Sequence, residues 1–120
     1  MKSKEEILEI INHSYGTQAY HKFSSFSNYP VVTDGVLALA EAAGCFWLLD
    51  IIGCYQTDKR LDPQFQVWTL VVNLEDGTAT VNGFNDMTLI VTQDILFTDF
   101  PLDALKLFLM DGIILLPSER

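Results

Sequence analysis

The chain has 120 residues, 49% of them apolar and 12% aromatic, and sixteen acidic against seven basic side chains leave it a formal charge of −9. Area scaling for this mass gives roughly 6,500 Å² of folded surface against about 20,000 Å² unfolded, enough burial for one real core and too little chain for two. Global disorder is excluded by the apolar content, and duplex DNA is disfavoured as a partner because affinity for it comes from Lys and Arg neutralising phosphates.

The first element reads as a helix over residues 4–14. Ser3 and Glu6 have capping-box spacing, Ile7, Leu8, Ile10 and Ile11 form a stripe at three- and four-residue intervals, and Gly16 is a suitable stop. This start is not an apolar leader before a small-residue cleavage site, so a cytoplasmic protein is expected. Residues 17–33 mix Tyr20, Phe23, Phe26 and Tyr29 with serines and Asn28. Pro30 pushes Tyr29 towards extended backbone. An irregular segment folded onto the core is expected, with room for one short strand or turn. His21 and Lys22 beside Tyr20 and Phe23 form a small basic and aromatic cluster, the one local feature resembling a single-strand stacking platform.

Thr33-Asp34-Gly35 opens a helical region, with Thr33 or Asp34 as the cap, and Gly44 interrupts it. Cys45 to Tyr55 is nearly all apolar and reads as a second helix buried on most of its circumference. The two form either one kinked helix or a pair. The longest apolar stretch, Cys45–Ile52, is broken by Asp50 and too short to span a bilayer, so no membrane association is expected. On one helix Cys45 and Cys54 would lie about 13 Å apart, beyond the roughly 7 Å a disulfide allows. Both are expected to be reduced and buried. Asp50 needs a hydrogen-bond partner, a raised pKa or an exposed face, and is kept as a candidate binding residue.

A β section follows the charged loop 57–63. Gln64–Leu74 is rich in β-branched and aromatic residues, Glu75-Asp76-Gly77 signals a tight turn, and Thr78–Asn82 alternates. Asn82-Gly83 marks a break or second turn, Met87–Gln93 a third strand, and Ile95–Phe97 its extension or a short fourth. Gln66 and Trp68 are candidate contact residues, since Trp often pairs an apolar body with a polar edge. Asp99 and Pro101 then look like a cap and first-turn proline for a helix filled by Leu102, Leu105, Leu107, Phe108, Leu109 and Met110 and ended by Gly112. Ile113–Leu116 adds a short final strand. Helices and strands fall in separate blocks. The expected architecture is therefore a single α+β domain, 1–120: N-terminal helices, a mostly antiparallel sheet of three to four strands, and a C-terminal helix with a short final strand.

No metal, cofactor or catalytic constellation is expected. The two histidines, His13 and His21, and two cysteines lack zinc spacing, and no nucleophile elbow or phosphate-cradling glycine loop occurs. Charge is more informative. Residues 61–119 hold nine acidic side chains and one basic, Lys106, whereas residues 1–60 hold seven and five. Glu75 and Asp76 therefore join the candidate contact residues, for a protein or ribonucleoprotein partner with a basic surface. A small-molecule pocket between the aromatic segment and the sheet, and a homo-oligomer paired through a strand edge or Trp68, are the alternatives.

The ordered phrases Tyr15-Gly16-Thr17, Thr33-Asp34-Gly35-Val36, Trp47-Leu48-Leu49-Asp50, Phe65-Gln66-Val67-Trp68, Phe97-Thr98-Asp99-Phe100-Pro101 and Leu115-Leu116-Pro117-Ser118-Glu119 resemble a small family of bacterial and phage proteins known as a domain of unknown function. The resemblance runs from about residue 15 to the end and carries no catalytic residues. Its phage and mobile-element setting implies, by analogy, an accessory or counter-defence role such as that of an anti-CRISPR inhibitor.

Overall fold

The computed structural model describes residues 3–13, 19–23 and 30–120. Helix α1 (Lys4–His13) starts as its sequence directs: the Glu6 amide donates to Ser3 Oγ at 3.2 Å, and the Ser3 hydroxyl donates to the Glu6 carboxylate at 3.1 Å. The expected stop at Gly16, and Phe26 and Tyr29 of the aromatic segment, lie outside the described residues. Two short strands, β1 (Tyr20–Lys22) and β2 (Val31–Thr33), pair antiparallel within that segment.

Thr33 caps α2 (Asp34–Ala43) by accepting from the Val36 amide, and Gly44 ends it in left-handed backbone at φ 63°. Because that residue turns the chain, α2 and α3 (Phe46–Tyr55) are a helix pair and not one kinked helix. Burial of α3 is narrower than expected: Leu48, Leu49 and Ile52 face inward, whereas Phe46, Asp50 and Cys54 are exposed. Cys54 therefore corrects the expectation of two buried thiols.

The α+β class holds, but the sheet is larger than three or four strands. Five further strands, β3 (Gln66–Val72), β4 (Ala79–Asn85), β5 (Thr88–Ile95), β6 (Ala104–Met110) and β7 (Ile113–Leu115), join the first two in one sheet of order β1-β2-β7-β6-β3-β4-β5. All neighbours are antiparallel except β2 and β7.

The expected C-terminal helix is strand β6. Leu105, Leu107 and Leu109 point to the core with period two, while Ala104, Lys106 and Phe108 point away. Leucine's helix propensity is a weak prior, and lateral pairing with β3 over Ala104–Leu109 outweighs it. The apparent helix stop is a hairpin turn: Asp111 and Gly112 both have positive φ, 52° and 81°, as a two-residue type I′ connection needs. Asn82-Gly83 is likewise no turn. Both residues lie inside β4, and the reversal comes at Asp86, φ 55°. Gly83 is there for space, since a Cβ would sit 2.7 Å from the Trp68 ring and 2.8 Å from Val91.

The core lies between the sheet and α2 and α3, with Val32, Trp68, Leu70, Val81, Leu107 and Ile114 meeting Val36, Leu39, Leu49 and Ile52. Ile7 of α1 is also fully buried there. The folded surface, 6697 Å², matches the expectation from mass. The opposite face of the central strands carries Thr69, Thr80, Asn82 and Lys106, none of them buried. At one end of it Arg120 lies over the rings of Phe65 and Phe108, 5.0 and 5.3 Å from their centroids.

Candidate functional site

Five carboxylates that are scattered in sequence meet at one end of the sheet. β3 ends there, turns through Glu75-Asp76-Gly77 and returns as β4, closed by the Asn73 amide donating to Thr78 O at 2.8 Å. Gly77 allows the turn at φ 77°. Asp76 Oδ1 accepts from the Thr78 amide at 2.9 Å and the Thr78 hydroxyl at 2.7 Å. Those bonds, the hydroxyl foremost, lower the Asp76 pKa and hold it ionised. Asp94 sits opposite Thr80 at the end of β5. The chain then crosses back over the turn, its Thr98 amide donating to Gly77 O at 2.8 Å and Asp103 O accepting from the Val72 amide at 2.9 Å. This crossing brings Asp99 and Asp103 to the same end. Glu75, Asp76, Asp94, Asp99 and Asp103 are all exposed.

Apolar surface is interleaved with these charges. Leu96 is 92% exposed and Phe97 71%, with Val71 and Leu74 each more than half exposed. An open groove of about 400 Å³ lies among them, lined by Val71, Asn73, Thr80, Asp94, Ile95 and Leu96. Positive charge is sparse around it. No Lys, Arg or His occurs from Leu61 to Leu105. Lys106 stands in mid-sheet opposite Thr69. Arg60 lies at the far end of β4, where its carbonyl accepts from Asn85 Nδ2. Its guanidinium is taken by Asp58 at 2.6 Å, and this bond pulls the Asp58 carboxyl down to about 2.

The expected contact residues do not form one site. Glu75 and Asp76 lie at the acidic end, whereas Tyr20 and His21 are on edge strand β1 at the other side of the sheet. Tyr20 is exposed, and His21 Nε2 is 2.6 Å from Asp34 Oδ1 on the first turn of α2. Asp34 also accepts from the Ala19 amide at 3.3 Å, so this pair ties β1 to α2. Gln66 and Trp68 are 1% and 2% exposed and satisfy each other. Trp68 Nε1 donates to Gln66 Oε1 at 2.9 Å, Gln66 and Gln56 exchange amide hydrogen bonds at 2.9 Å, and Gln66 Nε2 donates to Asp62 O at 3.0 Å. These two residues therefore fix α3 to β3 and present no surface to a ligand.

Asp50 is exposed on α3, at an open groove of about 290 Å³ between α3 and β5. Ile51, Cys54, Tyr55 and Gln93 also line it, and the Tyr55 hydroxyl donates to Gln93 Oε1 at 3.0 Å. From the sequence, Asp94 and Asp103 count only as charge, Asp99 reads as a helix cap, and Leu96 and Phe97 have no part in a site. The signal was present as the basic-free stretch, but its convergence needed the crossing of residues 96–103 over the turn. Among the described residues no three His, Cys, Asp or Glu side chains group as metal ligands. Among them, too, no helix is long and apolar enough to cross a membrane.

Residues 5–120 match the family of unknown function DUF6876, and the chain belongs to that family. No curated protein and no solved structure matches it.

Proposed function

We propose that this member of the DUF6876 family is a non-enzymatic interaction module that docks a basic protein surface on the acidic end of its sheet. One observation carries the reading: five exposed carboxylates and four exposed apolar side chains share an end of the molecule that no basic side chain of residues 61–105 offsets. Carboxylates steer a basic partner in and reject acidic ones, while the apolar side chains supply the desolvated contact that holds it. In its finer form, the partner is the nucleic-acid groove of a bacterial defence ribonucleoprotein. The acidic end takes the place of a phosphate backbone there, as the phage setting of the resembling proteins suggests.

The test is affinity capture from the native host at low and high salt, with the wild type beside an E75Q/D76N/D94N/D99N/D103N variant. A basic protein is expected on the wild type, released as salt rises. Its affinity for the neutralised variant falls by about tenfold or more, ~1.4 kcal/mol summed over the five charges. Capture that ignores both salt and the substitutions refutes the reading.

A further inference from the structure

We infer that the basic partner is taken as an extended strand along the free edge of β5, with basic side chains on both faces of the widened sheet. This rests on the docking reading above and adds how the partner is held.

Among the described residues β5 is the last strand of the sheet and pairs only with β4. Every second backbone N–H and C=O of an edge strand has no partner on the free side. Among the described residues no loop or helix backbone hydrogen-bonds to β5. Edges are commonly protected with Lys or Pro, and Thr88–Ile95 contains neither. A bulge, where the register slips between Gly83 and Phe84, divides the pairing into Thr88–Leu89 and Val91–Ile95, and the longer run ends at the acidic site. The opposite edge, β1, has only three residues and carries Lys22.

The inner side of this edge is not filled. An added strand lies about 4.8 Å from β5 and sends alternate side chains to each face. Beside Gln93, whose register partner is the core residue Val81, such a side chain enters the groove between α3 and β5. Ile51 and the Tyr55 ring offer apolar walls for an aliphatic stem, and Asp50 stands at the mouth for its cation. The neighbouring side chain emerges on the outer face beside Asp94. One carboxylate thus serves each face, which suits Lys or Arg on both. Charge also decides between a partner strand and a second copy. Self-pairing along β5 would bring together two molecules of charge −9, each with Asp86 and Asp94 and no cation along the edge.

The probe is an end-blocked peptide of the repeat Arg-Lys-Val, titrated into the whole protein with amide exchange followed by NMR. Exchange at alternate amides of Val91–Ile95 is expected to slow about tenfold or more, and D50N to weaken binding about two- to fivefold. Binding that perturbs Glu75, Asp76, Asp99 and Asp103 but leaves β5 exchange unchanged overturns the strand and keeps the docking reading. A peptide that does not bind overturns both. A dimer in sedimentation, with β5 amides already protected in the protein alone, assigns the edge to a second copy and overturns the inference.

Discussion

Two cysteines of the same short segment have opposite fates. Cys45, at the start of α3, is buried, with its thiol directed at Leu39 O, and burial pushes its pKa up to about 12. Cys54 is exposed at the groove beside β5. Folded protein treated with iodoacetamide at pH 8 is expected to gain one adduct by intact mass, on Cys54. A second should appear only in denaturant, and raising the pH to 10 still leaves Cys45 protonated. Two adducts forming together under native conditions would contradict this. Sequence reading placed both thiols in apolar surroundings, which is correct for Cys45 alone. Helical phase separates the two, but which face α3 turns inward depends on the sheet beneath it. Gln66 and Trp68 teach the same lesson. Both residue types suit a contact surface, and only the partners brought by α3 and the chain before β3 turn them into a closed core network.

At the scale of elements, the clearest readings rested on local chemistry. The Ser3–Glu6 cap, the Thr33 cap, the Gly44 stop and the Gly77 turn each depend on backbone groups a few residues away, so neighbouring sequence suffices. The helix expected over 102–110 failed because its decisive partner, β3, is distant in sequence. The C-terminus shows such a long-range bond directly. Glu119 accepts from the Thr33 hydroxyl at 2.6 Å, from the Gly35 amide at 3.3 Å and from the Leu116 amide at 3.0 Å. It therefore fastens the last turn of the chain to the first turn of α2, where negative charge also suits the helix dipole. E119A is expected to cost about 1–3 kcal/mol in urea denaturation, and E119Q, which keeps an acceptor oxygen, less. An unchanged midpoint for E119A would show the contact to be incidental.

For the whole molecule, charge is the dominant property. A net −9, with five of the sixteen carboxylates gathered at one end of the sheet, should repel itself in the folded state. Raising NaCl from 20 to 300 mM shortens the Debye length from about 20 Å to under about 8 Å and is expected to raise the melting temperature. The E75Q/D76N/D94N/D99N/D103N variant should melt higher at low salt and respond less. A wild-type melting temperature that falls with salt would show that the carboxylates are already compensated.

By itself the sequence determined the α+β class, the first helix, the helical character of the segments around Gly44, the Glu75-Asp76-Gly77 turn and the excess of acid after residue 60, and its ordered phrases carried the family resemblance. The class, the elements and the charge follow from composition, short-range periodicity or contacts within a few residues. Tertiary structure alone decided that 104–110 is a strand, that seven strands share one sheet, and that β5 is its long open edge. It also decided that five carboxylates from three separate segments meet at one end. Strand pairing and loop crossing join residues far apart in the chain, and period-two and period-three patterns of leucine do not say which distant backbone waits to pair.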